Sequence, residues 1–93
     1  MHFLYIIYSN KNNTYYVGET EDIITRLKQH NQHYFKKSYT KIADDWVLKL
    51  KYKCNTIEDA RFLERFIKRM KSKVFIEKII NDNSILKDTL KKK

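Results

Sequence analysis

The sequence has almost no proline, glycine or cysteine, the residues that normally mark turns or form disulfides. Its 93 residues include no proline, a single glycine (Gly18) and a single cysteine (Cys54). Because one cysteine cannot close an intrachain disulfide, a disulfide-stabilised secreted fold is excluded, and Cys54 is expected to be a half-buried small side chain rather than a nucleophile. Without proline, and with one glycine, the turns must be marked by clusters of polar residues.

Long hydrophobic runs are also missing. No apolar stretch approaches the roughly 18 residues that suggest a membrane-spanning helix. The apolar start of the chain, residues 3–8, is too short for a signal peptide and is followed by no cleavage site. We therefore expect an intracellular, cytoplasmic protein that has no membrane partner.

Acidic residues are scarce, with eleven Asp and Glu against twenty Lys and Arg, for a net charge of +9. Such a surface attracts anions, and nucleic-acid backbones are the most abundant polyanions inside cells. A codon bias toward Lys, Asn, Ile and Tyr would give a similar composition without any function. Charge alone leaves both interpretations open.

The residue pattern predicts an α+β domain with a small three-stranded antiparallel sheet flanked by helices, in the order β-β-α-β-α-α. Residues 3–8 are apolar and β-prone, and residues 15–18 are predicted to return as the second strand of a hairpin after the polar turn 9–13. Residues 46–52 alternate large apolar side chains with lysines, which indicates a half-buried third strand.

Polar residues mark where the predicted helices begin. Thr20 is expected to cap the first helix, with Glu21 and Asp22 in its first turn, where the helix dipole favours acidic side chains. Thr56 is expected to cap a second helix with one apolar face. A short third helix is predicted over residues 74–80.

No internal repeat or linker divides the chain. The domain is expected to span residues 1–83, and residues 84–93 are expected to form a Lys-rich tail that begins with a further helical turn.

Five side chains in these elements are candidates for a phosphate-binding catalytic site: Tyr5, Tyr16, Arg26, His30 and Glu64. Strand alternation can turn the two tyrosines toward a common edge, and residues spaced i, i+4 on a helix share one face. Each side chain alone has a simpler interpretation, as a core tyrosine, a solvated helix face or a surface ion pair worth less than about 1 kcal/mol. Their combination points to chemistry.

The motif Tyr5-Ile6-Ile7-Tyr8, followed by Tyr16-Val17-Gly18, resembles the two signature elements of the GIY-YIG nuclease family. Arg26 and His30 are similar to the helix arginine and histidine of that family, and Glu64 is similar to its metal-binding glutamate. The resemblance covers about residues 3–80, with Phe3 where the first signature glycine would stand. For the late asparagine of the family, Asn83 is the first candidate and Asn81 the second.

The resemblance implies a small stand-alone nuclease domain that hydrolyses phosphodiesters with one Mg²⁺ or Mn²⁺ ion held by Glu64. A single carboxylate is sufficient, because Mg²⁺ fills most of its coordination sphere with water and substrate oxygens. Arg26 would pair with the nonbridging phosphate oxygens. Tyr5, or as second choice Tyr16, would activate water, with His30 as an alternative base or proton relay. The division of these roles stays open.

Basic and aromatic residues near these positions predict contacts with nucleic acid. The expected nucleic-acid-binding residues are Gly18, Lys36, Lys37, Tyr39, Lys41, Lys68 and Lys71. They would contact the backbone without reading bases, and neither a recognition helix nor zinc-finger spacing is present. DNA is expected as the substrate rather than RNA, recognised by a structure such as a flap, branch or nick. A solvated Lys-rich surface is the simpler alternative.

Three other functions compete with the nuclease. The chain could be a non-catalytic nucleic-acid-binding module of the same fold, a subunit that cuts only with a partner protein supplying specificity, or a basic RNA-associated protein with accidental motif matches. The sequence alone does not decide among them, nor does it reveal the oligomeric state.

Overall fold

Residues 1–32 and 42–93 are described by the computed structural model. Their elements, in chain order, are β1 (His2–Ser9), β2 (Thr14–Thr20), α1 (Ile23–Asn31), β3 (Trp46–Cys54), α2 (Ile57–Met70), α3 (Lys73–Asn81) and α4 (Ser84–Lys91). The strands form one antiparallel sheet in the order β2-β1-β3. The predicted α+β class and antiparallel sheet are confirmed, and one more helix follows the predicted order.

The central strand β1 is apolar at successive positions because both faces of the sheet are covered. Leu4 and Ile6 pack into a core cluster with residues of α2, α3 and α4. Tyr5 and Ile7 face the opposite side, where Ile23 of α1 belongs to a second, smaller cluster. The candidate tyrosine of β1 therefore lies on the α1 side of the sheet.

The start of α1 differs from the prediction. Asp22, rather than Thr20, is the N-cap, and its Oδ1 accepts a hydrogen bond from the Thr25 amide at 3.1 Å. Thr20 is the last residue of β2, where its hydroxyl oxygen accepts a hydrogen bond from the Asp22 amide at 3.1 Å. Both residues are good caps, but the β1–β2 ladder continues to Thr20 and delays the helix;.

The third strand carries a register shift that the alternation of its residues did not reveal. Ile6 pairs with Leu50 and Ile7 with Leu48, so that an extra residue is accommodated in β3;. As a result Trp46 packs in the cluster on the α1 side, whereas Leu50 packs in the cluster on the other side. A simple two-residue alternation would have put both side chains on one face.

The predicted cap of α2 is confirmed, because the hydroxyl oxygen of Thr56 accepts a hydrogen bond from the Asp59 amide at 3.1 Å. The helix ends at Met70, and its C-cap residue Lys71 has a left-handed φ of 49°. Ser72 then caps α3 by accepting a hydrogen bond from the Phe75 amide. This tight α2–α3 turn brings lysines close to the edge strand β2.

The C-terminal residues 84–93, expected as a tail, are helical from Ser84 to Lys91. Leu86 is completely buried in the larger core cluster, and the Lys93 ammonium donates to the Asp59 carboxylate of α2. The last helix therefore supports the back of α2. Of the helices described, none combines the length and apolar character needed to cross a membrane.

Candidate active site

Three of the predicted site residues are in mutual contact on the α1 side of the sheet. The Tyr5 hydroxyl lies 2.8 Å from Nε2 of His30. The ring centroids of Tyr5 and Tyr16 are 6.5 Å apart, and those of Tyr16 and His30 are 5.2 Å apart. The hairpin thus brings the two phenols together, and α1 places the His30 imidazole in contact with them.

Gly18 lies opposite Tyr5 in the hairpin and leaves the space that the Tyr5 ring occupies. A Cβ at position 18 would stand 2.5 Å from the Tyr5 hydroxyl oxygen and 2.6 Å from Cζ. The phenol therefore rests directly on the glycine backbone. Gly18 was predicted to contact nucleic acid, and that contact stays a prediction. Its visible role is to make room for the phenol.

We expect Gly18→Ala to destabilise the fold by about 1–3 kcal/mol, as overpacked substitutions in dense interiors do. The aromatic ring is rigid, so it must shift as a whole to make room for the methyl group. The hydrogen bond from Tyr5 to His30 must then lengthen. Chemical denaturation would measure the cost.

The matched control for Gly18→Ala is the same substitution in a Tyr5→Leu background. Without the phenol the added methyl has space, so the cost of the alanine should largely vanish in the double-mutant cycle. An equal cost in both backgrounds would contradict the steric explanation.

His30 is neutral at physiological pH. Its side chain is buried, with 2% of the residue exposed, and this desolvation, together with the charge of Arg26, lowers the pKa of His30 from 6.5 to about 4;. A neutral imidazole can accept the proton of the Tyr5 hydroxyl through Nε2;. The pair is consequently arranged for proton transfer between phenol and imidazole.

Acid should destabilise the protein through His30. The folded pKa lies below the unfolded one, so the unfolded chain binds the extra proton first and stability falls as the pH drops below 6.5;. The loss should reach roughly 3 kcal/mol near pH 4 and then level off for this residue;. Urea denaturation at several pH values measures it. A His30→Gln variant that retains the same slope between pH 4 and pH 6.5 would rule out His30 as its source.

Tyr5 is held in its protonated form. Burial raises the pKa of its phenol above the usual value, with Tyr16 and the carboxylates of Glu64 and Glu19 acting in the same direction. Arg26 opposes them and lowers the pKa of the same phenol. Any anion formed on Tyr5 would therefore depend on added positive charge.

Arg26 and Glu64 approach this trio from two different helices. The guanidinium on α1 is close enough to act on both His30 and Tyr5. Glu64, on α2, is half-buried, acts on Tyr5 through its charge, and accepts a hydrogen bond from the Lys68 ammonium at 2.7 Å. That ammonium lies 5.0 Å from the centroid of the Tyr16 ring. The other four predicted residues therefore contact the Tyr5 phenol or act on it through their charge.

The donor set for a metal ion at this position is small. Among residues 1–32 and 42–93, no group of three or more His, Cys, Asp or Glu side chains is arranged to hold a metal. Glu64 offers a partly exposed carboxylate, which is compatible with the one or two protein ligands that Mg²⁺ commonly uses;. The residues therefore fit a single ion bound mainly by water and substrate, and do not fit a protein-enclosed site.

Lys68 was predicted to bind nucleic acid, and a surface ion pair was the simpler interpretation of Glu64. The structure forms that ion pair between Glu64 and Lys68, which are spaced i, i+4;. Glu19 was not among the residues predicted from the sequence. Glu19 is bonded to His2 at 2.8 Å, with the Arg61 guanidinium 4.0 Å away. Its place beside Gly18 in an edge strand was the only hint.

The remaining candidates lie elsewhere. The predicted nucleic-acid-binding residues Lys36, Lys37, Tyr39 and Lys41 fall outside the described residues. Lys71 is exposed at the end of α2. Asn81, the last residue of α3, and Asn83, the residue before α4, are both exposed, and Asn81 lines the same surface pocket as Tyr15 of β2.

Comparison with known proteins agrees with this geometry. The family model for the GIY-YIG catalytic domain matches residues 1–79, which is most of the chain. No curated protein and no solved structure matches the chain significantly.

Proposed function

The chain belongs to the GIY-YIG catalytic domain family, whose members are nucleases, and from that premise we propose that it is a metal-dependent endonuclease acting on DNA with structure preference. The observation that carries the proposal is the contact between Tyr5, Tyr16 and His30, with Arg26 and Glu64 acting on the same phenol. A buried phenol bonded to a neutral imidazole, with a guanidinium and a carboxylate acting on it, supports catalysis rather than binding alone.

Water activation falls to the Tyr5–His30 pair in this proposal. The attacking water would give its proton to the Tyr5 oxygen as the Tyr5 proton passes to Nε2 of His30, which lies 2.8 Å from that oxygen. His30 is neutral at physiological pH, so its Nε2 can accept that proton;. Its low pKa makes it a weak base alone, so the relay requires positive charge near the phenol.

Arg26 would stabilise the phosphate while the bond to the leaving oxygen breaks. Its guanidinium can donate two parallel hydrogen bonds to nonbridging oxygens, which gain negative charge in the transition state. The same charge lowers the pKa of Tyr5. Arg26 would therefore favour both the deprotonation of Tyr5 and the negative charge that develops on the phosphate oxygens in the transition state.

Glu64 would hold the Mg²⁺ or Mn²⁺ ion. When bound, such an ion supplies charge neutralisation on the scissile phosphate and its leaving oxygen. Lys68 now donates to that carboxylate, so Lys68 would have to release Glu64 and turn toward the phosphate backbone. The ion pair is solvent-accessible and weak, so this rearrangement costs little;.

The proposed backbone contacts extend from Lys68 to Lys71 on one side and to Lys36, Lys37, Tyr39 and Lys41 on the other. Positive residues of this kind hold phosphates without reading sequence. The buried free Cys54 is compatible with the reducing cytoplasm that the proposal assigns to the protein;.

The proposal is tested by incubating the protein with plasmid DNA, a branched DNA and a structured RNA, each with Mg²⁺, with Mn²⁺ and with a chelator. We expect metal-dependent nicking, fastest on the branched DNA. Binding without product under every metal would favour the non-catalytic module, and faster cleavage of RNA would overturn the assignment to DNA.

A further inference from the structure

A groove beside the candidate active site has no role in the chemistry described above. It has a volume of about 490 Å³ and runs between the edge strand β2 and the α2–α3 turn. This volume lies within the range of about 300–1,000 Å³ that is usual for small-ligand sites. Tyr16 and Lys68 line both the groove and the candidate site, so the two are continuous.

The floor of the groove is apolar and partly aromatic. Val17 and Ile67 are buried beneath it, and the half-buried Tyr15 and Tyr16 also line it, with the Tyr16 ring close to the Lys68 ammonium. Aromatic rings on a nonpolar floor bind flat, uncharged ring systems, and nucleobases stack on such surfaces whatever their sequence.

The rim carries positive charge. It is formed by Lys71 and Lys73, together with Lys68, whose ammonium is paired with Glu64. None of the described residues that line the groove is acidic. Lys73 donates to the neutral carbonyl of Asn13 at 3.1 Å, which leaves its charge uncompensated by that bond. A ligand with a flat ring and a phosphate on either side matches this floor and rim.

We propose that the groove binds one unpaired nucleotide of the substrate, next to the phosphodiester that is cut. This inference rests on the proposed function and specifies its substrate. A paired base is stacked inside the duplex and cannot enter a lateral groove, whereas a flap, a mismatch or a single-stranded end offers its base freely. The enzyme therefore selects junctions between duplex and single strand by holding the first unpaired base.

The test uses two DNA duplexes, one blunt and one with a single-stranded overhang, each carrying 2-aminopurine at the terminal or first unpaired position. Binding is measured in a chelator so that no strand is cut. The wild-type protein should bind the overhang about tenfold more tightly than the blunt duplex, consistent with one stacked base, and should change its 2-aminopurine fluorescence.

The variant Lys71→Gln/Lys73→Gln removes two charges from the rim and leaves the floor intact. Its preference for the overhang should fall to about twofold or less, with affinity for the blunt duplex reduced by a smaller factor. The matched control is Lys87→Gln/Lys91→Gln on α4, which removes the same charge away from the groove and should preserve the preference.

Equal affinity of the wild type for both duplexes, or equal loss of preference in the α4 control, would overturn the groove proposal. Either result could occur while metal-dependent cleavage persists, and then only the groove assignment fails. Absence of cleavage on every substrate, with the overhang preference intact, would instead reject the nuclease function and retain the binding site.

Discussion

Replacing Glu64 with glutamine should lower metal-dependent cleavage by about a thousandfold or more. A bound divalent ion contributes several kcal/mol to the transition state, and each 1.36 kcal/mol corresponds to about tenfold in rate. The amide keeps the volume of the side chain, and the lost ion pair with Lys68 is worth less than about 1 kcal/mol;. Single-turnover cleavage and urea denaturation would show a large loss of rate with little loss of stability.

The control for Glu64 is Glu58→Gln, an exposed glutamate in the first turn of the same helix. It changes the net charge equally and should leave the cleavage rate within about twofold, as surface changes remote from a site usually do.

Two further measurements separate metal binding from substrate binding. Mn²⁺ titration followed by electron paramagnetic resonance should show a bound ion in the wild type and in Glu58→Gln, and a much weaker one in Glu64→Gln. Nucleic-acid affinity in a chelator should be nearly the same in all three. A Glu64→Gln protein that cleaves at the wild-type rate would remove this residue from the mechanism.

Removing one oxygen atom from Tyr5 should be almost as damaging. Tyr5→Phe deletes the group that would pass the proton of water to His30, and general-base catalysis is typically worth about 10² to 10⁴ in rate;. The ring and its packing on Gly18 remain. Loss of the buried hydrogen bond should cost about 1–3 kcal/mol of stability, measured by denaturation in parallel with the rate.

Tyr52→Phe is the matched control, because it removes a phenol oxygen from the same sheet on the face opposite Tyr5. Its cleavage rate should be close to that of the wild type. The double variant Tyr5→Phe/His30→Gln should lose little more rate than Tyr5→Phe alone, since residues that act as a unit are not additive. If the rate loss of the double variant equalled the product of the two single losses, the phenol and the imidazole would act separately.

Local patterns were sufficient for much of the fold. The β-prone residues of β1, the polar turn after it and the cap at Thr56 depend on neighbours in sequence, and the structure has the predicted elements at those places;. The start of α1 was wrong by two residues, since Thr20 and Asp22 compete as caps and only the length of the strand ladder decides between them.

The candidate site was only partly visible from the sequence. The spacing of Tyr5 and Tyr16 in a hairpin, and of Arg26 and His30 on a helix, predicted that each pair shares a face. A surface ion pair was the simpler interpretation of Glu64, and the structure forms it with Lys68 of the same helix. The approach of that pair to Tyr16 could not be predicted, because it depends on how α2 lies against the edge strand.

The sequence by itself determined the type and order of most elements, the family resemblance and the identity of the candidate side chains, because periodicity and capping act over a few residues. The tertiary structure alone decided that Tyr5 rests on Gly18, that His30 is neutral and that a register shift moves Trp46 to the α1 side. Burial, pKa and register arise from groups that are distant in the chain and meet only after folding, so no local pattern encodes them.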